Sequence, residues 1–368
     1  MKISEIQITG VRNLQPATSK LGQTNIIYGA NGSGKTSLLE AVSILGQARS
    51  FRSPKIQPVI AHGASSCTVF GQLKEEPGSG QQLTLGVKRE RNGEFEGRVR
   101  GQPVSSTAQL AHVLPFLSID AFSFDLLAGG PGVRRRFLDW GVFHVEHGFH
   151  QAWLDVRKAL KQRNSLLRRG KIQTAELAPW SKLLATAAQA LDDYRRDYVE
   201  KLRPCVQKIL DELGTPVSFD LRYHRGWEEG KDLYDLLCQD IERDRARGFT
   251  QVGPQRAELK WRADGHKAAD VFSRGQQKLA VIALKIAQGR LLQEFSGKTC
   301  VYLVDDLPAE LDPAFLKALF TALTAMGAQI LITCVNPDDL DHCWREMSVE
   351  RPSMFHVEQG QINFQDAV

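Results

Sequence analysis

At 368 residues, with 42% hydrophobic and 24% charged content, the chain can bury a full core and is expected to divide into two lobes. A net charge of +5 on 47 basic and 42 acidic residues does not by itself select a partner. Six scattered cysteines without a CxxC pair are expected to be reduced thiols and imply neither disulfides nor structural zinc. No apolar run approaches a membrane span and no charged segment leads into an apolar one at the start, so the cytoplasm is the expected compartment, with no membrane partner.

Residues 2–9 alternate, with Ile3, Ile6 and Ile8 on one face, as a half-buried strand does. A polar connection leads to the short apolar strand Ile26-Ile27-Tyr28 and then to Gly29-Ala30-Asn31-Gly32-Ser33-Gly34-Lys35-Thr36, which fits G-x-x-x-x-G-K-[ST]. Glycines at 29, 32 and 34 let successive N–H groups converge, and the helix running to about Gln47 adds its N-terminus to that anion site. Lys35 is set to reach β- and γ-phosphates, and Thr36 to ligate the Mg²⁺ that bridges their oxygens. Asn31, Ser33 and Ser37 join the expected contacts, and the implied ligand is Mg·NTP.

Residues 48–65 read as a loop, and Cys67–Leu73, Gln81–Lys88 and Phe95–Val99 as an antiparallel patch with hairpin signals at 76–80 and Arg91-Asn92-Gly93. His112–Ile119 reads as a buried strand. Gly129-Gly130-Pro131-Gly132 marks a lobe boundary, after which helical spacing holds from 133 to 212, followed by a short strand at Val217–Leu221 and a helix at Leu233–Asp244.

Between Arg134 and Lys171 ten basic residues face three acids, a local balance of +7. Arg134, Arg135, Arg136, Lys158, Lys161, Arg168 and Arg169 are the candidates for tracking a phosphate backbone, without any base-reading motif. His144, His147 and His150 share a helix face but lack a metal-site pattern.

From residue 249 the pattern returns to α/β: Glu258–Arg262, a long helix from Gly275 to Glu294, the strand Cys300–Val304, a helix at Pro313–Met326 and the strand Gln329–Thr333. The expected fold is α/β, with a mixed sheet, an antiparallel β patch and an inserted, mainly helical second lobe. Its divisions are 1–128, 129–248 and 249–368, the third part rejoining the first. Asp305 and Asp306 follow a buried strand, where carboxylates lie beside a phosphate loop on a neighbouring strand. Asp305 is then the Mg²⁺ partner, and Asp306 is suited to orient or deprotonate the attacking water. Ser273 is an N-cap candidate for the long helix.

Phe272-Ser273-Arg274-Gly275-Gln276-Gln277-Lys278 resembles the signature motif of ABC-type ATPases, in which serine and glycine grip the γ-phosphate held by a partner subunit. Glu310-Leu311-Asp312 resembles their D-loop. Together with residues 8–14 (including Arg12), 48–52, 131–139 and 252–256, these segments make the whole chain resemble the RecF family of bacterial recombination mediators. The resemblance implies an ABC-type head without a long coiled coil, and ATP and Mg²⁺ as ligands, with Arg12, Ser273, Gly275, Gln276 and Asp312 among the nucleotide contacts. It also implies a weak DNA-stimulated ATPase, an ATP-dependent homodimer on duplex DNA or a single/double-strand junction, and work with RecR- and RecO-type mediators to help RecA load. Three departures stand out: Gln255 and Ala257 replace the family's usual histidine and aspartate; Asp306 stands where ABC transporters and SMC proteins usually have glutamate, which implies slow turnover; and the switch histidine of transporters is replaced near Thr333 to Asn336. A membrane export motor would share the phosphate loop and signature but not the basic helical insert, and a small-molecule kinase would leave the Ser273 helix start without a purpose.

Overall fold

The computed structural model describes residues 1–368 except 75–81, 170–172, 308–310, 342, 344–350 and 366–368. The hairpin signal at 76–80 and Glu310 of the D-loop lie outside the described residues.

In chain order the elements are β1 (Lys2–Thr9), β2 (Ala17–Lys20), β3 (Thr24–Tyr28), α1 (Lys35–Gln47), β4 (Ser66–Lys74), β5 (Gln82–Glu90), β6 (Phe95–Val99), β7 (Gln102–Pro103), α2 (Thr107–Val113) and β8 (Phe116–Ile119). Then follow α3 (Asp125–Ala128), α4 (Pro131–Val145), α5 (Phe149–Leu167), α6 (Thr174–Glu212), β9 (Asp220–His224), α7 (Leu233–Gln239), α8 (Ile241–Arg247), β10 (Glu258–Ala263), β11 (His266–Lys267) and α9 (Ala268–Val271). The chain continues through α10 (Arg274–Ser296), β12 (Val301–Val304), α11 (Pro313–Ala325), β13 (Gln329–Cys334), β14 (Ser353–Glu358) and β15 (Gln361–Gln365).

They form two units, one of residues 1–123, 211–215 and 292–368, the other of residues 124–210 and 216–291. The first holds two six-stranded sheets. One is antiparallel, in the order β2-β1-β4-β5-β6-β7, and the other runs β15-β14-β3-β13-β12-β8, parallel except for the β14–β15 hairpin. Helix α1 is packed between them. Leu38, Leu39, Ala41, Val42, Ile44 and Leu45 are all buried, in one cluster with Ile3, Ile6 and Ile8 of β1, Val69 of β4 and Leu303 and Leu331 of β12 and β13. A helix apolar on every side belongs inside a domain, and burying each leucine contributes about 1.5–3 kcal/mol.

The second unit is mainly helical, with the small sheet β11-β10-β9. Its interior is held by charge as well as by apolar contact. Arg163 of α5 is fully buried and donates to Asp244 at 2.6 Å, Thr250 at 2.7 Å, Ser181 at 3.0 Å and the Leu237 carbonyl at 3.1 Å. A guanidinium at that depth is tolerated because every face of its fork meets an acceptor.

Several sequence expectations shift. His112–Ile119 is not one strand: α2 ends at Val113, Pro115 stops the helix, and the strand is Phe116–Ile119 only. The strand placed at 217–221 forms three residues later because its pairing with β10, Leu221 opposite Trp261, sets its register. The helix expected at 233–244 breaks at Asp240 into α7 and α8. The lobe divisions at 129 and 249 also move. The first falls at 124, and residues 249–291 stay with the helical unit, because β10 pairs with β9 and Glu258 of β10 binds Arg134 of α4 at 2.6 Å. Gln255 fastens its own turn by donating to the Thr250 and Val252 carbonyls, and Ala257 is buried.

Replacing Arg163 with alanine leaves Asp244 buried without its cation and is expected to cost about 3–5 kcal/mol. Urea unfolding followed by circular dichroism measures it, and a midpoint within error of the parent would refute the role assigned to this pair.

Candidate functional site

The carboxyl ends of five parallel strands converge in the first unit, where an open α/β sheet presents its binding crevice. From β3 the chain enters Gly29–Gly34 with φ of +146° at Gly29, +78° at Gly32 and +121° at Gly34. These values favour glycine. At Gly29 space adds a second reason: a Cβ there would lie 2.2 Å from the Val357 carbonyl oxygen. Lys35 caps the loop, its Nζ donating to the Gly29 and Ala30 carbonyls at 2.8 and 3.0 Å.

The C-terminal hairpin braces this loop from behind. Gln359 and Gly360 form its two-residue turn, both at positive φ, and the Gly360 N–H donates to the Ser33 carbonyl at 2.9 Å. Ser33 is thus buried behind the loop, whereas Asn31, Gly32, Gly34, Lys35, Thr36 and Ser37 line a cavity of about 970 Å³.

Across that cavity stand the two acids. Strand β13 lies between β3 and β12, so the acid-bearing strand is not the phosphate loop's neighbour as the sequence suggested. Thr333, at the end of β13, fills the gap. Asp305 Oδ1 accepts from the Thr36 hydroxyl and the Thr333 hydroxyl, each at 2.8 Å. The Thr333 hydroxyl in turn accepts from the Asp306 N–H at 2.8 Å. Asp306 has a φ of +54°, a conformation that costs a non-glycine residue about 1–2 kcal/mol. Burial pushes the Asp305 carboxyl above its ordinary range, against the two hydroxyl hydrogen bonds and the Arg52 charge that pull it down.

Arg12 also lines the cavity. Its guanidinium grips Glu40 of α1 with two bonds of 2.9 and 2.8 Å and donates to the Pro58 carbonyl at 2.6 Å. Glu40 is buried and also accepts from Ser50 at 2.6 Å. Asn13 ties the loop to the helix, donating to the Gly32 carbonyl at 3.1 Å and accepting from Ser37 at 3.0 Å. Glu40, Asn13, Thr333 and the hairpin turn are contributions sequence reasoning missed. An acid amid the leucines of α1 was a visible signal for Glu40; the stretch from Thr333 to Asn336 stood out only as lacking a switch histidine, which did not announce the hydroxyl's role.

The other candidates lie elsewhere. Ser273, Gly275 and Gln276 open α10 in the second unit, with Ser273 and Gly275 exposed. The Ser273 N–H donates to Gln276 Oε1 at 2.9 Å and the Gln276 N–H to Ser273 Oγ at 3.3 Å, a reciprocal capping box. Asp312 caps α11 by accepting from the Phe315 N–H at 2.9 Å and does not line the cavity.

The basic set divides. Arg134 is taken up by Glu258 and the Gly129 carbonyl, and Arg135 donates to the Ala257 carbonyl, so both are partly buried fasteners of this unit. Arg136, Lys158, Lys161, Arg168 and Arg169 are exposed. Among the described residues no three or more His, Cys, Asp or Glu side chains are grouped to hold a metal ion, and the three histidines do not share one helix: His144 is on α4, His147 lies between helices and His150 is on α5.

One hydroxyl and one carboxylate oxygen, 2.8 Å apart beside a concave row of backbone N–H groups, make a hard oxygen donor set that fits Mg²⁺ with its ligands completed by phosphate and water. Holding Asp305 charged and buried costs stability. Because its folded pKa is raised above the usual 3.8, stability falls as pH rises from there through the folded value. Asp305→Asn is therefore expected to raise the urea midpoint at pH 7, with the gain vanishing below about pH 3.8. A gain that persists at low pH would show packing, not charge, to be its source.

The chain matches the RecF/RecN/SMC N terminal domain family model over residues 2–360. A protein of Pseudomonas aeruginosa (strain LESB58) called DNA replication and repair protein RecF is 49% identical over 365 residues, 99% of this chain and 98% of that one. A protein of the same name from Stutzerimonas stutzeri (strain A1501) is 50% identical over 363 residues, 98% and 97% of the two chains. Among solved structures, the recombination mediator protein RecF with ATP, of the RecFOR pathway, shares the fold at a TM-score of 0.87 and 24% identity, over 99% of this chain and 97% of that one. An SMC head bound to the C-winged helix domain of ScpA shares it at 0.56 and 15%, over 99% and 96%. The ABC-type head expected from the motifs is thus the fold found, and the chain belongs to the RecF family within the RecF/RecN/SMC group.

Proposed function

We propose that this protein is an ATP-dependent DNA-binding ATPase of recombinational and replication-gap repair. The observation that carries the reading is the pair Thr36 and Asp305, with oxygens 2.8 Å apart at the mouth of the glycine loop. Relatives called DNA replication and repair proteins, and a fold shared with a RecF solved with ATP, support it.

Bound Mg²⁺ would neutralise developing charge on the phosphates. The chain's own groups supply the rest. Backbone N–H groups of Gly32, Gly34 and Lys35 cradle the phosphates, and Lys35 adds a point charge to the β- and γ-oxygens. Thr36 and Asp305 would hold the ion. Asp306 orients the attacking water, and its side chain, one methylene shorter than glutamate, holds that water less well, which gives slow turnover. Arg12, fixed by Glu40, lines the same cavity without needing to order a free side chain on binding.

The signature residues serve a second copy. Ser273 and Gly275 are exposed at the start of the long helix α10, and that helix N-terminus suits the γ-phosphate held by a partner. ATP then joins two copies head to tail, dimerisation builds the DNA surface, hydrolysis dismantles it, and RecR- and RecO-type proteins use the assembly to help RecA load at gaps. On DNA the exposed basic face of α5, Lys158, Lys161 and, just past its end, Arg168 and Arg169, follows one side of the helix and meets phosphates without reading bases.

Fluorescence anisotropy on duplex and junction DNA, with and without Mg·ATP and with mass measured in parallel, tests the clamp. ATP should promote both dimer and DNA binding, and Ser273→Arg should abolish both while nucleotide still binds. A wild-type monomer at saturating Mg·ATP would sink the reading. Salt titration tests the DNA face. Reversing Lys158, Lys161 and Arg168 together should flatten the log–log salt slope by roughly 2–3, whereas Arg134→Ala should leave the slope unchanged and lower stability instead.

A further inference from the structure

We infer that Thr333 is the positioning residue that aligns both acids of the site. The inference rests on the roles proposed for Asp305 and Asp306. Thr333 is fully buried at the carboxyl end of β13, the strand inserted between the phosphate-loop strand and the acid-bearing strand. Its hydroxyl does two things at once: it donates to Asp305 Oδ1 and accepts from the Asp306 N–H, each at 2.8 Å.

A single hydroxyl that donates and accepts in this way fixes the relation between two consecutive carboxylates. The bond to Oδ1 sets the rotation of the Asp305 carboxyl, so that the same oxygen also meets Thr36. The bond from the Asp306 N–H holds that peptide in the left-handed conformation, φ +54°, which an aspartate would otherwise leave. Both acids line the cavity. No other side-chain hydrogen bond reaches the Asp306 N–H among the described residues. Valine has the same shape as threonine but can do neither; serine can do both.

Thr333→Val and Thr333→Ser separate the hydroxyl from the packing, with Asp306→Asn as the reference for the proposed chemistry. The first readout needs no nucleotide. Hydrogen exchange of the Asp306 amide should be at least tenfold faster in Thr333→Val and unchanged in Thr333→Ser, at equal melting temperatures. The second is steady-state ATP hydrolysis. Thr333→Val should lose at least tenfold in kcat with KM for ATP within about twofold, and Thr333→Ser should stay within about twofold in both.

Unchanged exchange in Thr333→Val, equal losses in the two variants, or a KM that rises in step with the fall in kcat would each overturn the inference. If Asp306→Asn hydrolyses ATP at the wild-type rate, the role proposed for Asp306 fails and this inference falls with it. If Asp306→Asn is inactive while Thr333→Val is not, the inference alone is wrong.

Discussion

A helix buried on all sides between two sheets is the constraint on which the first unit depends. Helix α1 cannot rotate or slide without opening apolar surface on β1, β4, β12 or β13, so its first turn is held against the strand ends. The glycine loop inherits that rigidity. Anion binding by backbone N–H groups is useful only when those groups already converge before the ligand arrives, and burial of α1 supplies that organisation.

Polar residues placed inside this packing extend it to the chemistry. Glu40 sits in α1 among leucines and would be costly there if it were not gripped by Arg12 and Ser50. The same bonds fix the Arg12 guanidinium at the cavity wall. Asn13 links the turn after β1 to the loop and to α1, and the turn at Gln359 and Gly360 closes the loop from behind with a backbone hydrogen bond. Segments more than 300 residues apart in sequence thus share one small site, which is why the chain's C-terminal hairpin matters to a motif near its beginning. Two of the cavity residues, Arg12 and Asp306, are at positive φ, and each is held by a partner that a change of backbone would release.

The second unit solves a different problem. It carries much of the positive charge, and it sorts that charge by depth. Arg134, Arg135 and Arg163 are spent on internal carboxylates and carbonyls, while Lys158, Lys161, Arg168 and Arg169 remain at the surface. A local excess of positive charge in sequence therefore overstates the charge available to a partner. Distinguishing the two kinds of arginine requires knowing which acids fold against them, and Glu258 and Asp244 lie far from their partners along the chain.

Some of this was legible from residues alone, because the physics is local. The glycine loop, the helix it opens, the two acids after an apolar strand, the capping serine of α10 and the antiparallel patch are written in spacing over a few residues; in the fold the loop and the acids line one cavity and Ser273 caps α10. What the sequence could not decide was non-local. Strand order put β13 between β3 and β12 and so recruited Thr333; pairing with β10 shifted β9 by three residues; and the contacts of β10 with α4 moved residues 249–291 into the helical unit. Periodicity reports how a segment would bury itself, whereas which segments meet is settled only by tertiary packing, where hydrogen bonds and ion pairs between distant residues are made or left unmade.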